Sequence, residues 1–210
     1  MNRTVPNRVL WNNISSLTYL SGTALLIMAS GRLAHAITTA GALLWVYGLS
    51  SLAAHAGAKA FPWRLRSVLL AFIASFIAGI YLLLLWLLSP LCALETFFII
   101  ALIPMICMVS GIFKRLETFS LSDVFSASCF EALSLGILVI IFALIREPFG
   151  FLSLSFPGGA QGMVFLFSFN TESFLPIRVI ASASGAFLLL GYCLGLYRYF
   201  RPVNASREDV

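Results

Sequence analysis

Charged side chains are scarce in this chain, with 8 Asp or Glu and 13 Lys or Arg among 210 residues. Each one that falls in or beside an apolar run is therefore a candidate for chemistry. Glu131 is the deepest, inside the run 126–145, where an ionised group at a helix centre costs about 2.5–3.5 kcal/mol on insertion scales. Two readings apply to it: Glu131 lines an ion or proton path, or it lies near the end of its span and reaches the interface or pairs with a neighbouring subunit. Arg115 with Glu117, and Arg146 with Glu147, bracket the same run. They read either as interfacial anchors or as residues that fix a helix and contact partner subunits. His35 and His55 flank another apolar run and have no His or carboxylate at ligand spacing, so no metal site is expected there. Cys92, Cys107, Cys129 and Cys193 lack CxxC spacing and read as buried thiols rather than a disulfide framework. The glycine-rich stretch Pro157-Gly158-Gly159-Ala160-Gln161-Gly162 follows no Rossmann-type strand and lacks the Lys-Ser/Thr of a phosphate loop, so it reads as a turn.

The elements that must position these residues are membrane helices. Hydrophobic residues make up 60% of the chain and charged ones 10%, against about 45–50% and 25% in soluble domains. Such a chain cannot clothe a water-soluble body. Apolar runs long enough for the roughly 20 residues of a membrane-crossing helix fall at 15–31, 35–56, 65–88, 94–113, 126–145 and 178–200. The expected fold is thus an all-α integral membrane protein with six transmembrane helices in a single domain. Arg3 and Arg8 precede a stretch ending in Ala34-His35-Ala36, which is the small-residue pattern of a signal cleavage site. Arg32 interrupts that region, so the stretch is expected to stay as a span.

Orientation follows from the basic residues. Arg3, Arg8, Lys59, Arg64, Arg66, Lys114, Arg115, Arg198, Arg201 and Arg207 fall on one side of a six-pass chain, and Arg32, Arg146 and Arg178 on the other. The positive-inside bias then puts both termini in the cytoplasm. The connection 146–175 is the only long one. It is punctuated by Pro148, Pro157, Gly158 and Gly159, so it is expected not to form one helix and to lie in the outer interface or dip back into the protein. The tail 201–210 is polar.

Spans one and four are the irregular ones. The first carries Ser21-Gly22-Thr23 and the fourth Pro104 and Ser110-Gly111, so both are expected to be broken helices. Each opens a triplet of spans, and three spans per half require the halves to have opposite orientation. This is the inverted-repeat plan in which discontinuous helices meet near the midplane.

From 103 to 150 the chain resembles the second half of the Rnf/Nqr membrane-subunit family, which comprises RnfA, RnfE, NqrD and NqrE. The matching residues are Ile103-Pro104-Met105-Ile106, then Arg115, Glu117 and Phe119, then Glu131, then Arg146, Glu147 and Gly150. Cytoplasmic termini make it closer to RnfE and NqrD. In the family, two subunits of opposite orientation each give two cysteines, one per broken helix, to an iron-sulphur cluster between them. Here those positions fall on Thr23 and Ser110. An alcohol is a poor substitute for a thiolate on iron, and Cys107, one turn before Ser110, has no counterpart in the first span.

The resemblance implies a subunit of an ion-translocating electron-transport complex in a bacterial-type cytoplasmic membrane, coupling electron flow to Na+ or H+ movement. No cofactor would be bound by this chain alone, with the iron-sulphur cluster and flavins in partner subunits. Expected partners are the other subunits, including a second six-span paralogue of opposite orientation, and the lipid bilayer, but no nucleic acid. The rival reading is a stand-alone small-solute transporter or the substrate-binding membrane subunit of a vitamin importer. A third is a degenerate relative kept for assembly only.

Overall fold

The computed structural model describes residues 16–57, 66–109, 121–158, 162–168 and 177–200. Their elements run α1 (Ser16–Ala29), α2 (Leu33–Gly57), α3 (Arg66–Leu88), α4 (Pro90–Val109), α5 (Leu121–Phe151), β1 (Ser153–Pro157), β2 (Met163–Ser168), α6 (Arg178–Ala181) and α7 (Ala183–Phe200). The architecture is a helical bundle with one small antiparallel hairpin, β1 pairing with β2.

Four helices, α2 to α5, are long and apolar enough to cross a membrane. The chain is accordingly a multi-pass membrane protein in its helical content. α1 has 14 residues, about 21 Å at 1.5 Å per residue, which is less than the roughly 30 Å of a hydrocarbon core. The apolar part of the last helix, Ala183–Cys193, is also short.

At the centre lies α2, which packs most extensively on α5 and also on α3, α4 and β1. Its burial on several sides follows from its composition. Small residues let neighbours approach: a Cβ on Gly136 of α5 would stand 3.0 Å from the Ala40 Cβ, the close backbone packing that small residues permit between membrane helices. Gly48 meets Phe125 and Cys129 while Ala40 meets Gly136, so α5 runs antiparallel to α2. Two threonine hydroxyls inside the bundle return to their own helices, Thr38 to the Ala34 carbonyl at 3.0 Å and Thr96 to that of Cys92 at 2.7 Å. That local bond lets a polar residue sit where no water reaches.

The outer faces carry the opposite pattern. Phe72, Phe76, Leu83 and Leu87 line one side of α3 at helical spacing, and all are 71% exposed or more. Apolar surface on this scale is unsupportable in water but ordinary against lipid tails.

Three expectations are corrected by the backbone. α4 is one helix through Pro104, and α1 is likewise uninterrupted. Proline removes a single backbone bond, and buried packing of Pro104 and its neighbours Ile100 and Ile103 holds the helix across the gap. The fourth span's Ser110 and Gly111 lie outside the described residues. A break appears instead in the sixth span, at Ser182 between α6 and α7. The long connection also begins later than position 146. α5 continues through Arg146, Glu147, Pro148 and Gly150 to Phe151, 31 residues in all. It ends where Leu152 takes a left-handed φ of 52° and its N–H bonds the Pro148 carbonyl at 3.1 Å, the hydrogen-bond pattern of a left-handed helix cap. The described residues of the rest of the connection form the hairpin, with Gly158 N donating to Gly162 O at 2.9 Å and Gly162 at φ +82°.

Candidate functional site

Two consecutive charged residues near the end of α5 form the most elaborate polar junction among the described residues. Arg146 is 2% exposed and Glu147 0%. Both are packed inside the protein. One guanidinium donates five bonds: to the carbonyls of Ile27 (3.1 Å), Ile180 (3.2 Å), Ala181 (3.0 Å) and Ser182 (3.1 Å), and to Ser30 Oγ (2.6 Å). The Ile27, Ile180 and Ala181 carbonyls belong to the last turns of α1 and α6, where carbonyls have no partner within their own helix, and Ser30 and Ser182 directly follow those helices. The Glu147 carboxylate accepts from the opposite kind of group, Leu33 N at 2.6 Å at the start of α2 and Ser155 N at 2.8 Å in β1.

The electrostatics follow from helix ends. A cation at two helix C-termini and an anion at a helix N-terminus each meet the favourable end of the dipole. Successive residues on a helix point in different directions, so Arg146 and Glu147 reach separate targets instead of neutralising each other. Buried charges are tolerated when they are fully hydrogen-bonded. Gly150 completes the arrangement: a Cβ there would lie 2.9 Å from the Ala181 Cβ and 3.0 Å from its backbone, so a side chain would push α6 off the guanidinium. The break at Ser182 is capped locally, since Gly185 N donates to Ser182 Oγ at 3.3 Å, as an N-cap serine does. The Arg-Glu-x-x-Gly spacing thus clasps α1, α2, β1 and the α6–α7 break to the end of α5.

Nearer the other end of the bundle a second polar group gathers. Glu131 lies 10 residues into α5, about 15 Å along its axis. The Cys107 thiol is fully buried, with the Ser50 hydroxyl beside it and the Glu131 carboxyl within electrostatic range. Ser50 and Ser128 are buried hydroxyls with no hydrogen-bond partner among the described residues, and Ser128 sits one turn from Glu131 on the same helix. A half-buried carboxyl beside buried hydroxyls and a thiol can hold a proton or offer oxygen ligands to a hard cation.

The remaining candidates are dispersed. Thr23 is half-buried on α1, a helix that packs on α4. Ser110, Arg115 and Glu117 lie outside the described residues. His35 gains a neighbour that sequence spacing does not show: its Nε2 is 3.1 Å from Glu95 Oε2, because α2 and α4 begin at the same end of the bundle and bring together residues 60 apart. Among the described residues no three His, Cys, Asp or Glu side chains gather as a metal site.

Sequence reasoning singled out Arg146, Glu147 and Gly150 but missed what they hold. Ser30, Ser155 and Ser182 carried no signal beyond being serines, and most of the partners are backbone atoms. Glu95 stood inside the fourth span and was the one visible sign of a partner for His35. Comparison of the chain with protein-family models, with curated proteins and with solved structures found no match.

Proposed function

We propose that the chain is a membrane subunit of an ion-translocating electron-transport complex similar to the Rnf and Nqr complexes, placed in a bacterial-type cytoplasmic membrane with both termini inside. The observation that carries this reading is the concentration of function-bearing residues on α5. There the acidic residue and the Arg-Glu-x-x-Gly group on which the resemblance rests have distinct physical tasks. Arg146, Glu147 and Gly150 fasten the helix ends, and Glu131 stands in the bundle beside Cys107 and Ser50. The inverted six-span plan is supported by the packing of α1 against α4, the first helices of the two triplets.

In this role the chain contributes scaffold and a segment of the ion path, with Glu131 taking up and releasing the coupling proton or Na+. Thr23 and Ser110 stand where cluster-binding cysteines would be needed, so the electrons are carried by iron-sulphur and flavin groups of partner subunits. It is not catalytic alone.

The test is a mild-detergent purification of the tagged protein with identification of its partners and iron and flavin analysis of the same sample. Recovery with flavin-bearing subunits and a second six-span subunit is the expected result. Recovery alone, or with ATPase subunits, would overturn it in favour of a solute transporter or importer subunit.

A further inference from the structure

The serine hydroxyls around Glu131 divide into two kinds. Inside a membrane helix a serine ordinarily returns its proton to a carbonyl of its own helix. Ser51 does so to the Gly48 carbonyl at 2.7 Å, Ser126 to that of Asp123 at 3.1 Å and Ser134 to that of Phe130 at 2.8 Å. Ser50 and Ser128 lie among these on α2 and α5 and are 0% and 1% exposed. Neither of their Oγ atoms has a hydrogen-bond partner among the described residues. A buried hydroxyl left unpaired is costly, and such groups are rare enough that each calls for an explanation.

Both oxygens lie at the level of the acidic residue. A Cβ on Gly48 of α2 would stand 3.7 Å from Cys129 Sγ of α5. Because the two helices are antiparallel, moving on to Ser50 and back to Ser128 keeps the pair within about one turn along the bundle. Ser128 shares the buried face of α5 with Ala132 and Gly136, and Gly136 meets Ala40 of α2. Glu131 is one turn further along α5. α4 supplies the third side, where the Cys107 thiol has the Ser50 hydroxyl beside it and the Glu131 carboxyl within electrostatic range. A thiol is a weak hydrogen-bonding group and does not satisfy the serine.

The donor set selects the occupant. Oxygen atoms suit a hard cation and not a soft transition metal, in keeping with the lack of three His, Cys, Asp or Glu side chains gathered among the described residues. One carboxylate balances one positive charge, so a divalent ion would leave a net charge in apolar surroundings. A proton would be held by Glu131 alone and would leave both serines unpaired. A dehydrated monovalent metal ion uses all three groups, because each hydroxyl gives it a lone pair while its own proton is free to turn to a helix carbonyl. Few ligands and close helix packing favour the smaller alkali ion.

We propose that Glu131, Ser50 and Ser128 form a site for a dehydrated Na+ ion between α2, α4 and α5. The assignment rests on the reading of Glu131 as the ion-carrying group and narrows the coupling ion from proton or Na+ to Na+. The carboxylate supplies the charge, and the two serines decide that a metal ion is held in preference to a proton.

The test follows thermal unfolding of the purified full chain in detergent while NaCl replaces choline chloride at constant ionic strength. Na+ should raise the Tm of the parent saturably, as a ligand of the folded state does, and KCl should need about tenfold higher concentration for the same shift. Ser50→Ala and Ser128→Ala should each raise the half-saturating Na+ concentration about tenfold, and Glu131→Gln should abolish the response. Ser51→Ala removes a hydroxyl already bonded to Gly48 and should leave the half-saturating concentration within about twofold. A parent whose Tm responds equally to Na+, K+ and choline overturns the site, as does a Na+ response that both serine variants retain in full. Binding is read on the chain without partners, so the two readings fail separately. Flavoprotein partners without a Na+ response would overturn the site alone, and a Na+ response in a chain recovered without such partners would support the site while overturning the electron-transport reading.

Discussion

Replacing Arg146 with Met removes the guanidinium while keeping an unbranched apolar stem of similar reach. Five hydrogen bonds are lost, and the carbonyls of Ile27, Ile180 and Ala181 and the Ser30 hydroxyl lose a charged donor inside the bundle. Each buried polar group stranded in this way costs about 1–3 kcal/mol. Not all are stranded, because Ser182 O still accepts from Ala186 N and water can reach the α6–α7 break, where Ser182 is exposed. Two groups fully orphaned at about 2 kcal/mol each give roughly 4 kcal/mol, in line with the 3–5 kcal/mol for breaking one side of a buried charged network. For a chain of this length that corresponds to a fall in Tm of about 8–16 °C, read by heating the detergent-solubilised protein and following the monodisperse fraction. Arg146→Lys should recover only part of the loss. A lysine ammonium has three donors on a flexible stem and cannot reproduce a planar five-donor fork. The reasoning is refuted if Arg146→Met leaves Tm unchanged, or if Lys restores it fully, which would mean charge alone and not the fork holds the helix ends.

Glu147→Gln should cost about 2–4 kcal/mol, since an amide aims N–H donors at the N–H groups of Leu33 and Ser155, whereas Glu95→Gln should change stability by less than about 1 kcal/mol because its contact with His35 is largely solvated; thermal unfolding of the two variants side by side separates them. Gly150→Ala forces α6 away from α5 and should destabilise by about 1–3 kcal/mol, with faster proteolysis near Ser182 as the local sign. Glu131→Gln should leave Tm within a few degrees of the parent, yet lower Na+- or H+-coupled transport by about tenfold or more in reconstituted complexes, as removal of an ionisable group from a membrane path requires. Transport equal to the parent would remove Glu131 from the path.

Hydropathy and charge placement made the membrane class and most helix centres legible. The run 65–88 became α3, and the centres of the second, fourth and fifth spans lie inside α2, α4 and α5. The same reading singled out Arg146 and Glu147 as residues that needed an explanation. It misjudged where helices stop, because Pro104 and Pro148 were weighed for their local cost alone. Burial of Pro104 in the bundle, and of Arg146 and Glu147 beside Pro148, keeps both helices intact.

What the sequence determined by itself is what each side chain would lose or gain on leaving water, a sum over local identities that needs no knowledge of neighbours. Which helix ends meet was decided by tertiary structure alone. Backbone carbonyls at Ile27 and Ala181 look the same in every sequence, so nothing in the letters says that one guanidinium will serve both. His35 and Glu95, Glu131 and Cys107, and the hairpin beside Leu33 are brought together by the antiparallel packing of α5 on α2 and the shared starting level of α2 and α4. Pairing of that kind depends on distances across the bundle, and those exist only once the chain is folded.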